Sequence, residues 1–184
     1  MKEKGRLTLI TGEIESGKTS FCRQLADGLK ELGWDAAGIL SPAVFNEGVK
    51  IAIDGLDLRS GKRVRVAELN EAGAGQAGPR TRRWSFSQEA LVWCNELLKE
   101  AVPCDLLVID ELGLLEFDRD EGLLDAFEAV DSRQFKACLV VVRPSLVGKA
   151  RRRWPDAEVL TIEEDQDIPS LVHEQLVQFK YLQL

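Results

Sequence analysis

The sequence predicts an α/β protein of three layers, a mainly parallel sheet flanked by helices, with an antiparallel β-hairpin or meander inserted into it. Three observations lead there. Apolar Leu7, Leu9 and Ile10 run into a glycine loop, and a helical pattern leaves it. Between Asp105 and Asp110 the residues Leu106, Leu107, Val108 and Ile109 form an unbroken apolar run, as a strand covered on both faces requires. From there strand-like and helix-like segments alternate to the last residues, the pattern of right-handed crossovers on a parallel sheet.

The glycine loop is Gly12-Glu13-Ile14-Glu15-Ser16-Gly17-Lys18-Thr19, which fits GxxxxGK followed by Ser or Thr. Lying between a strand and a helix, it has the context of a P-loop. The fixed positions of that pattern match by chance in about one chain of this length in a hundred or fewer. A triphosphate needs many donors at close range, and inward-pointing backbone N–H groups beside a helix N-terminus supply them. The candidate phosphate-binding residues are Gly12, Glu13, Ile14, Glu15, Ser16, Gly17, Lys18, Thr19 and Ser20. Lys18 would set its ammonium against the β- and γ-phosphates, and the Thr19 hydroxyl would bind Mg²⁺.

Taken in order, Phe21, Leu25, Leu29 and Leu32 place a helix after the loop, and Gly33 suits its end. Ala36 to Leu40 make the second strand, stopped by Ser41-Pro42. The pattern then changes to period two: Val49, Ile51 and Ile53 alternate with Lys50, Ala52 and Asp54, and past Ser60-Gly61 the residues Val64 and Val66 alternate with arginines. Half-exposed antiparallel strands are expected there. Residues 72–83, rich in glycine and alanine, bury too little apolar surface to offset their ordering entropy, so a mobile loop is expected. Its Arg80, Arg82 and Arg83 suit either a solvated loop or one that folds over phosphates.

Ser87 is a good N-cap for a helix to about Glu100, with Leu91, Cys94, Leu98 and Ala101 on its inner face and Pro103 beyond its end. After the buried strand come a helix near Glu121 to Val130, a strand from Ala137 to Val142, a short helix around Val147 to Trp154 and a strand from Glu158 to Ile162. A terminal helix aligns Ile168, Val172, Leu176 and Phe179. With no internal repeat and no second core, residues 1–184 read as a single domain.

Composition narrows the function. The 31 acidic and 24 basic residues give a net charge of −7, which argues against whole-surface affinity for nucleic acid or anionic membrane. No apolar signal core or bilayer-length run is present, so a cytoplasmic location is the default expectation. The four cysteines lack CxxC spacing and read as reduced, mostly buried thiols rather than a zinc site. His173, the one histidine, lies in the last helical stretch, which disfavours chemistry by a His–Ser or His–Cys pair.

The second chemical signal is Asp110-Glu111 at the end of the apolar run. In P-loop folds an acidic residue at the end of a core strand holds the Mg²⁺ shell, the role expected of Asp110. A neighbouring carboxylate can orient and deprotonate the water that attacks the γ-phosphorus, which makes Glu111 the candidate general base. The same pair could also simply open a polar loop.

Together with the P-loop, the stretches Gly38-Ile39-Leu40-Ser41-Pro42, Leu58-Arg59-Ser60-Gly61 and above all Asp110-Glu111-Leu112-Gly113-Leu114-Leu115-Glu116-Phe117 resemble the THEP1-like nucleoside-triphosphatases over most of the chain. The resemblance implies a RecA-like P-loop NTPase core with strand order 5-1-4-3-2 and slow, Mg²⁺-dependent hydrolysis of ATP, GTP and other nucleoside triphosphates with little selectivity for the base. Its signature after the metal-binding Asp falls here on Glu111, Leu112, Gly113 and Glu116. That strand order would place the strand ending at Val142 beside the P-loop strand, so that Arg143 emerges next to the γ-phosphate as a catalytic cation; the same residue also fits an exposed arginine before Pro144. Two departures stand out. Glu13 and Glu15 put carboxylates where they repel phosphate unless they point outward, and Asp165-Gln166-Asp167 stands where the family commonly has Asn-Arg-Asp. Arg151-Arg152-Arg153-Trp154 fits a solvated helix face with one packed tryptophan better than a nucleic-acid patch.

The leading expectation is therefore a Mg²⁺-dependent nucleoside-triphosphatase acting on ATP or GTP. A phosphotransferase passing the γ-phosphate to a nucleotide or other small molecule, and a nucleotide-switched protein-interaction module, are the alternatives. No Asn-Lys-x-Asp element selects guanine.

Overall fold

The computed structural model describes residues 4–70 and 77–181. Strand β1 (Arg6–Thr11) leads through the P-loop into helix α1 (Lys18–Glu31), and β2 (Ala36–Leu40) follows. An antiparallel meander comes next: β3 (Ala43–Asn46), β4 (Val49–Asp57), β5 (Arg63–Leu69) and β6 (Trp84–Phe86). The remaining elements are α2 (Gln88–Lys99), β7 (Leu106–Leu112), α3 (Leu114–Arg119), α4 (Asp125–Asp131), β8 (Ala137–Val142), α5 (Val147–Arg153), β9 (Glu158–Thr161) and α6 (Ile168–Tyr181).

All described strands join one sheet in the order β6-β5-β4-β2-β7-β8-β1-β9, with β3 paired to the far half of β4. The parallel strands run β9-β1-β8-β7-β2, which is the 5-1-4-3-2 order when they alone are numbered along the chain. Strand β7 explains its own composition. Leu106 and Val108 face a core built with Phe21, Leu25 and Leu29 of α1 and Phe179 of α6, whereas Leu107 and Ile109 face the opposite core of Leu91, Cys94 and Leu98 of α2, Ala126 and Val130 of α4, and Trp154. Alternating side chains must be apolar on both sides when helices cover both faces.

The helix caps follow local chemistry. Ser87 accepts a hydrogen bond from the Ala90 N–H at 3.2 Å, and the inner face of α2 is the predicted set of Leu91, Cys94 and Leu98, continued by Ala101. Between β7 and β8, however, the helix expected near Glu121 to Val130 begins only at Asp125, and a further short helix, α3, precedes it. Glu116, buried within α3, accepts hydrogen bonds from the N–H groups of Gly113 at 2.7 Å and Leu123 at 2.9 Å. Its carboxylate occupies the space a Cβ at Gly122 would need, at 2.1 Å, so the chain turns through a positive φ of 84° there and restarts helically only at Asp125.

In the meander the period-two pattern holds, with a register shift between Ile53 and Asp54. Ile51 and Ile53 end half-buried, while Ala52 and Asp54 are buried, the latter paired with Arg65 Nε at 2.6 Å. Arg59, at the β4–β5 turn, straps the meander to the parallel sheet. It donates to both carboxylate oxygens of Asp35, to Glu100 O at 2.7 Å and to Pro103 O at 3.1 Å. Of the loop expected at 72–83, positions 72–76 lie outside the described residues. The rest is tied down rather than loose: Phe86 N–H donates to Pro79 O, Asn70 N–H donates to Arg83 O, and Arg80 pairs with Ser85, because this stretch continues the edge of the meander.

Gly38 in β2 sits where no other residue fits. Its φ is 107°, and a Cβ would meet Val108 O at 2.0 Å. Gly38→Ala is expected to lower stability by about 2 kcal/mol or more, from backbone strain plus forced separation of β2 and β7, as read from urea denaturation. An unchanged midpoint would contradict this close approach.

Candidate active site

The P-loop is shaped by its glycines. Gly12, φ 144°, lies so close to β9 that a Cβ would meet Ile162 O at 2.2 Å, and Gly17, φ 96°, starts α1 with Ile168 of α6 packed over it. Between them Glu13, Ile14 and Glu15 are exposed and Ser16 is buried. The two carboxylate side chains are therefore open to solvent, as is Ile14 between them. Lys18 folds back across the mouth, its ammonium donating to Gly12 O at 3.0 Å and to Glu13 O. Thr19 is half-buried on the first turn of α1, and Ser20 beside it is exposed.

Asp110 lies at the C-terminal end of β7 and is 2% exposed. Ser41, just past the end of β2, donates its N–H to Asp110 Oδ2 at 3.0 Å and its hydroxyl to Asp110 O. The Thr19 side chain lies near the same carboxylate and acts to lower its pKa. Burial pushes the Asp110 pKa up to about 6; Glu111 adds to the rise, while Ser41, Thr19 and Lys18 oppose it. A desolvated carboxylate against a threonine hydroxyl, both hard oxygen donors, is a fit for Mg²⁺, with phosphate oxygens left to complete the shell. Among the described residues no cluster of three or more His, Cys, Asp or Glu offers a rival metal site.

Glu111 follows Asp110 through a cis peptide and is half-exposed. Its carboxylate is paired with Arg143 Nε at 2.5 Å. Arg143 leaves the end of β8, the strand between β1 and β7, so the arginine emerges at the same edge as the P-loop and Asp110. The structure thus brings Lys18, Thr19, Asp110, Glu111 and Arg143 to one edge of the sheet. Glu116 is left out of this group, tied to backbone N–H groups behind it.

Two neighbours of the site are not marked as site residues by the sequence. Ser41 was part of a recognisable stretch, but its service to Asp110 depends on β2 lying beside β7. Lys50, which alternates with the apolar residues of β4, is half-buried with its ammonium 5.4 Å from the Trp84 ring centre. Burial lowers its pKa, against the opposing influence of Glu111, Glu15 and Asp110 and with the help of Arg83. Among the loop arginines, Arg83 stacks on the same ring at 5.1 Å, and Arg80 O is taken by Arg119.

Other candidates lie elsewhere. His173 is exposed on α6. Trp154 is 2% exposed, its Nε1–H bonded to Asp131 at 2.7 Å, and Arg153 pairs with the same carboxylate, so this basic-aromatic stretch is packing rather than an open patch. Asp167 caps α6 through Ser170, and Gln166 Oε1 accepts from Glu163 N–H.

A family model described as "NTPase" matches residues 7–170. The chain belongs to this nucleoside-triphosphatase family. Its substrate class is accordingly a nucleoside triphosphate. It is similar to the nucleoside-triphosphatase THEP1 of Methanopyrus kandleri, 28% identical over 152 residues, covering 80% of this chain and 81% of that protein. The THEP1 of Methanosarcina barkeri is 28% identical over 158 residues, covering 84% and 87%. The solution structure of a human cancer-related nucleoside triphosphatase superposes with TM-score 0.70 at 21% identity, over 96% of this chain and 98% of that one, and so shares the fold. The crystal structure of THEP1 from Aquifex aeolicus gives 0.58 at 15% identity, over 94% and 98%.

The raised Asp110 pKa has a definite sign. A carboxylate whose pKa is higher in the folded state favours folding at low pH; its contribution is complete below about pH 4 and is lost as the pH rises through about 6. In chelator and without nucleotide, the chain should therefore lose about 2–3 kcal/mol of stability relative to Asp110→Asn between about pH 4 and pH 7, measured by urea denaturation across that range. A pH-independent difference would show that Asp110 is not held out of water.

Proposed function

We propose that the chain acts as a single domain, in the cytoplasm, as a Mg²⁺-dependent hydrolase that takes ATP and GTP alike to the diphosphate and phosphate. The observation that carries this reading is the meeting of Thr19 and Asp110 with Glu111 one residue further along. The loop from Gly12 to Ser20 would hold the phosphates on its N–H groups. Lys18, which now bridges the carbonyls of Gly12 and Glu13, would turn onto the β- and γ-phosphates.

Thr19 and Asp110 would hold Mg²⁺, which supplies neutralisation of the phosphate charge. Ser41 keeps the Asp110 carboxylate in place. Glu111 would accept a proton from water as the water oxygen attacks the γ-phosphorus; the β–γ bridging oxygen then leaves with the diphosphate. Arg143 orients Glu111 through Nε and keeps further guanidinium donors for the γ-phosphoryl group.

Breadth toward the base is supported by the segment before α6, where Gln166 and Asp167 spend their polar atoms on Glu163 and Ser170. The buried Trp154 removes the best candidate for stacking on nucleic acid. The cytoplasmic assignment is supported by four free cysteines, and no described helix is long and apolar enough to cross a membrane.

Phosphate release measured across the four ribonucleoside triphosphates, with and without Mg²⁺, tests the whole reading. Activity should need the cation and vary little with the base; a phosphorylated acceptor in excess over free phosphate would overturn hydrolysis in favour of transfer.

Lys18→Ala should abolish binding of a fluorescent triphosphate analogue. Glu111→Gln should keep that binding and lower kcat by about 10²-fold or more. Wild-type turnover in Glu111→Gln would remove Glu111 as the base.

A further inference from the structure

We infer that Ser41 is a positioning residue for the base: its hydroxyl, donated to Asp110 O, fixes the peptide that joins Asp110 to Glu111 and so aims the Glu111 carboxylate. This rests on the hydrolase reading above and gives Ser41 a second task, separate from its hold on the Asp110 carboxylate.

The two tasks fall to different atoms. Ser41 N–H donates to Asp110 Oδ2 at 3.0 Å, whereas the Ser41 hydroxyl donates to the Asp110 carbonyl, which belongs to the Asp110–Glu111 peptide. Strands β2 and β7 run parallel, and Ile39 beside Ile109 is the last pair of their ladder. Carried on by two residues, that register sets Ser41 beside Glu111, where a regular parallel ladder would bond the Ser41 N–H to Asp110 O. Here the N–H has turned to the carboxylate instead, and the hydroxyl takes over the carbonyl. A residue with no side-chain donor at position 41 would leave that carbonyl without its partner from β2.

The strand on the other side does not hold this step in register. Ile109 pairs with Val140 but Leu112 with Val142, so three steps along β7 match two along β8. Asp110-Glu111 therefore forms a bulge, which leaves the ladder and re-aims its side chains. The Ser41 hydroxyl anchors the main chain of the bulge, and the ion pair with Arg143 Nε at 2.5 Å holds the far end of the Glu111 side chain. Ser41 is itself well fixed. Pro42 keeps the residue before it extended, and Pro42 O accepts the Asp54 N–H at 3.0 Å, which ties this corner to β4. A misaligned base costs rate rather than affinity, because it meets the attacking water and not the phosphates or the metal.

The test separates rate from binding. Turnover, its Mg²⁺ dependence and the affinity of a non-hydrolysable triphosphate analogue are measured for wild type, Ser41→Ala, Ser41→Thr, Glu111→Gln and the double variant of Ser41→Ala with Glu111→Gln. Ser41→Ala keeps the N–H, so analogue affinity and the Mg²⁺ concentration for half-maximal turnover should stay within about twofold while kcat falls by about tenfold or more. Retained analogue binding shows that this variant is folded. Ser41→Thr keeps the hydroxyl and should recover most of the lost kcat. In the double variant, removing the Ser41 hydroxyl should cost less than about twofold beyond Glu111→Gln alone, because the group it aims is already disabled.

An unchanged kcat in Ser41→Ala, a loss of analogue or Mg²⁺ affinity in step with kcat, no recovery in Ser41→Thr, or a fully multiplicative loss in the double variant would each overturn the positioning role. Failure of the hydrolase reading looks different: wild type releases no phosphate, or Glu111→Gln turns over as fast as wild type, and this inference falls with it.

Discussion

A carboxylate that is 2% exposed needs donors around it, and Asp110 obtains them from two directions at once. Ser41 reaches it from the end of β2, and Thr19 from the first turn of α1. Both contacts require β2 and the P-loop strand to lie on either side of β7 in the observed order, with β8 between β7 and β1. The rest of the candidate site hangs on this junction. Moving β7 by one residue would turn Asp110 into a hydrophobic layer and expose Ile109, so the strand register and the site chemistry are one constraint. The raised pKa expresses the same fact, since the charged form lacks enough compensation without a cation nearby.

Carboxylates six residues apart or fewer do three different kinds of work here. Asp110 is buried at the sheet end, Glu111 is half-exposed and held by an arginine, and Glu116 is buried where its oxygens accept from the Gly113 and Leu123 N–H groups. Glu116 fixes the exit of the chain from the site, bending it around Gly122 so that α4 can pack against α2. A loop anchored in this way fixes the path of the chain that follows Glu111.

The inserted meander is fastened to the parallel sheet at two points. Arg59 fastens its base to Asp35 and to the ends of α2 and its following loop, and Asp54 fastens its middle to Pro42. With both anchors set, the half of β4 before Leu56 runs past the end of β2 with β3 paired to it, and the Trp84 ring of β6 carries two cations, Lys50 and Arg83.

Local chemistry in the sequence determined the P-loop, the doubly covered strand β7, the Ser87 cap and the pairing of Asp110 with Glu111 as site candidates. Each of these is set by neighbours along the chain: a glycine that must turn, a hydroxyl within reach of an N–H, a run of apolar residues. The strand order came only from family resemblance, since apolar periodicity tells which face a strand buries and not which strand lies beside it. For that reason the meeting of Ser41 with Asp110, the bond between Arg143 and Glu111, and the seat of Lys50 on the Trp84 ring were decided by tertiary structure. The same limit hid the break between α3 and α4, where the residue that ends the helical path is Glu116, folded back from the preceding turn.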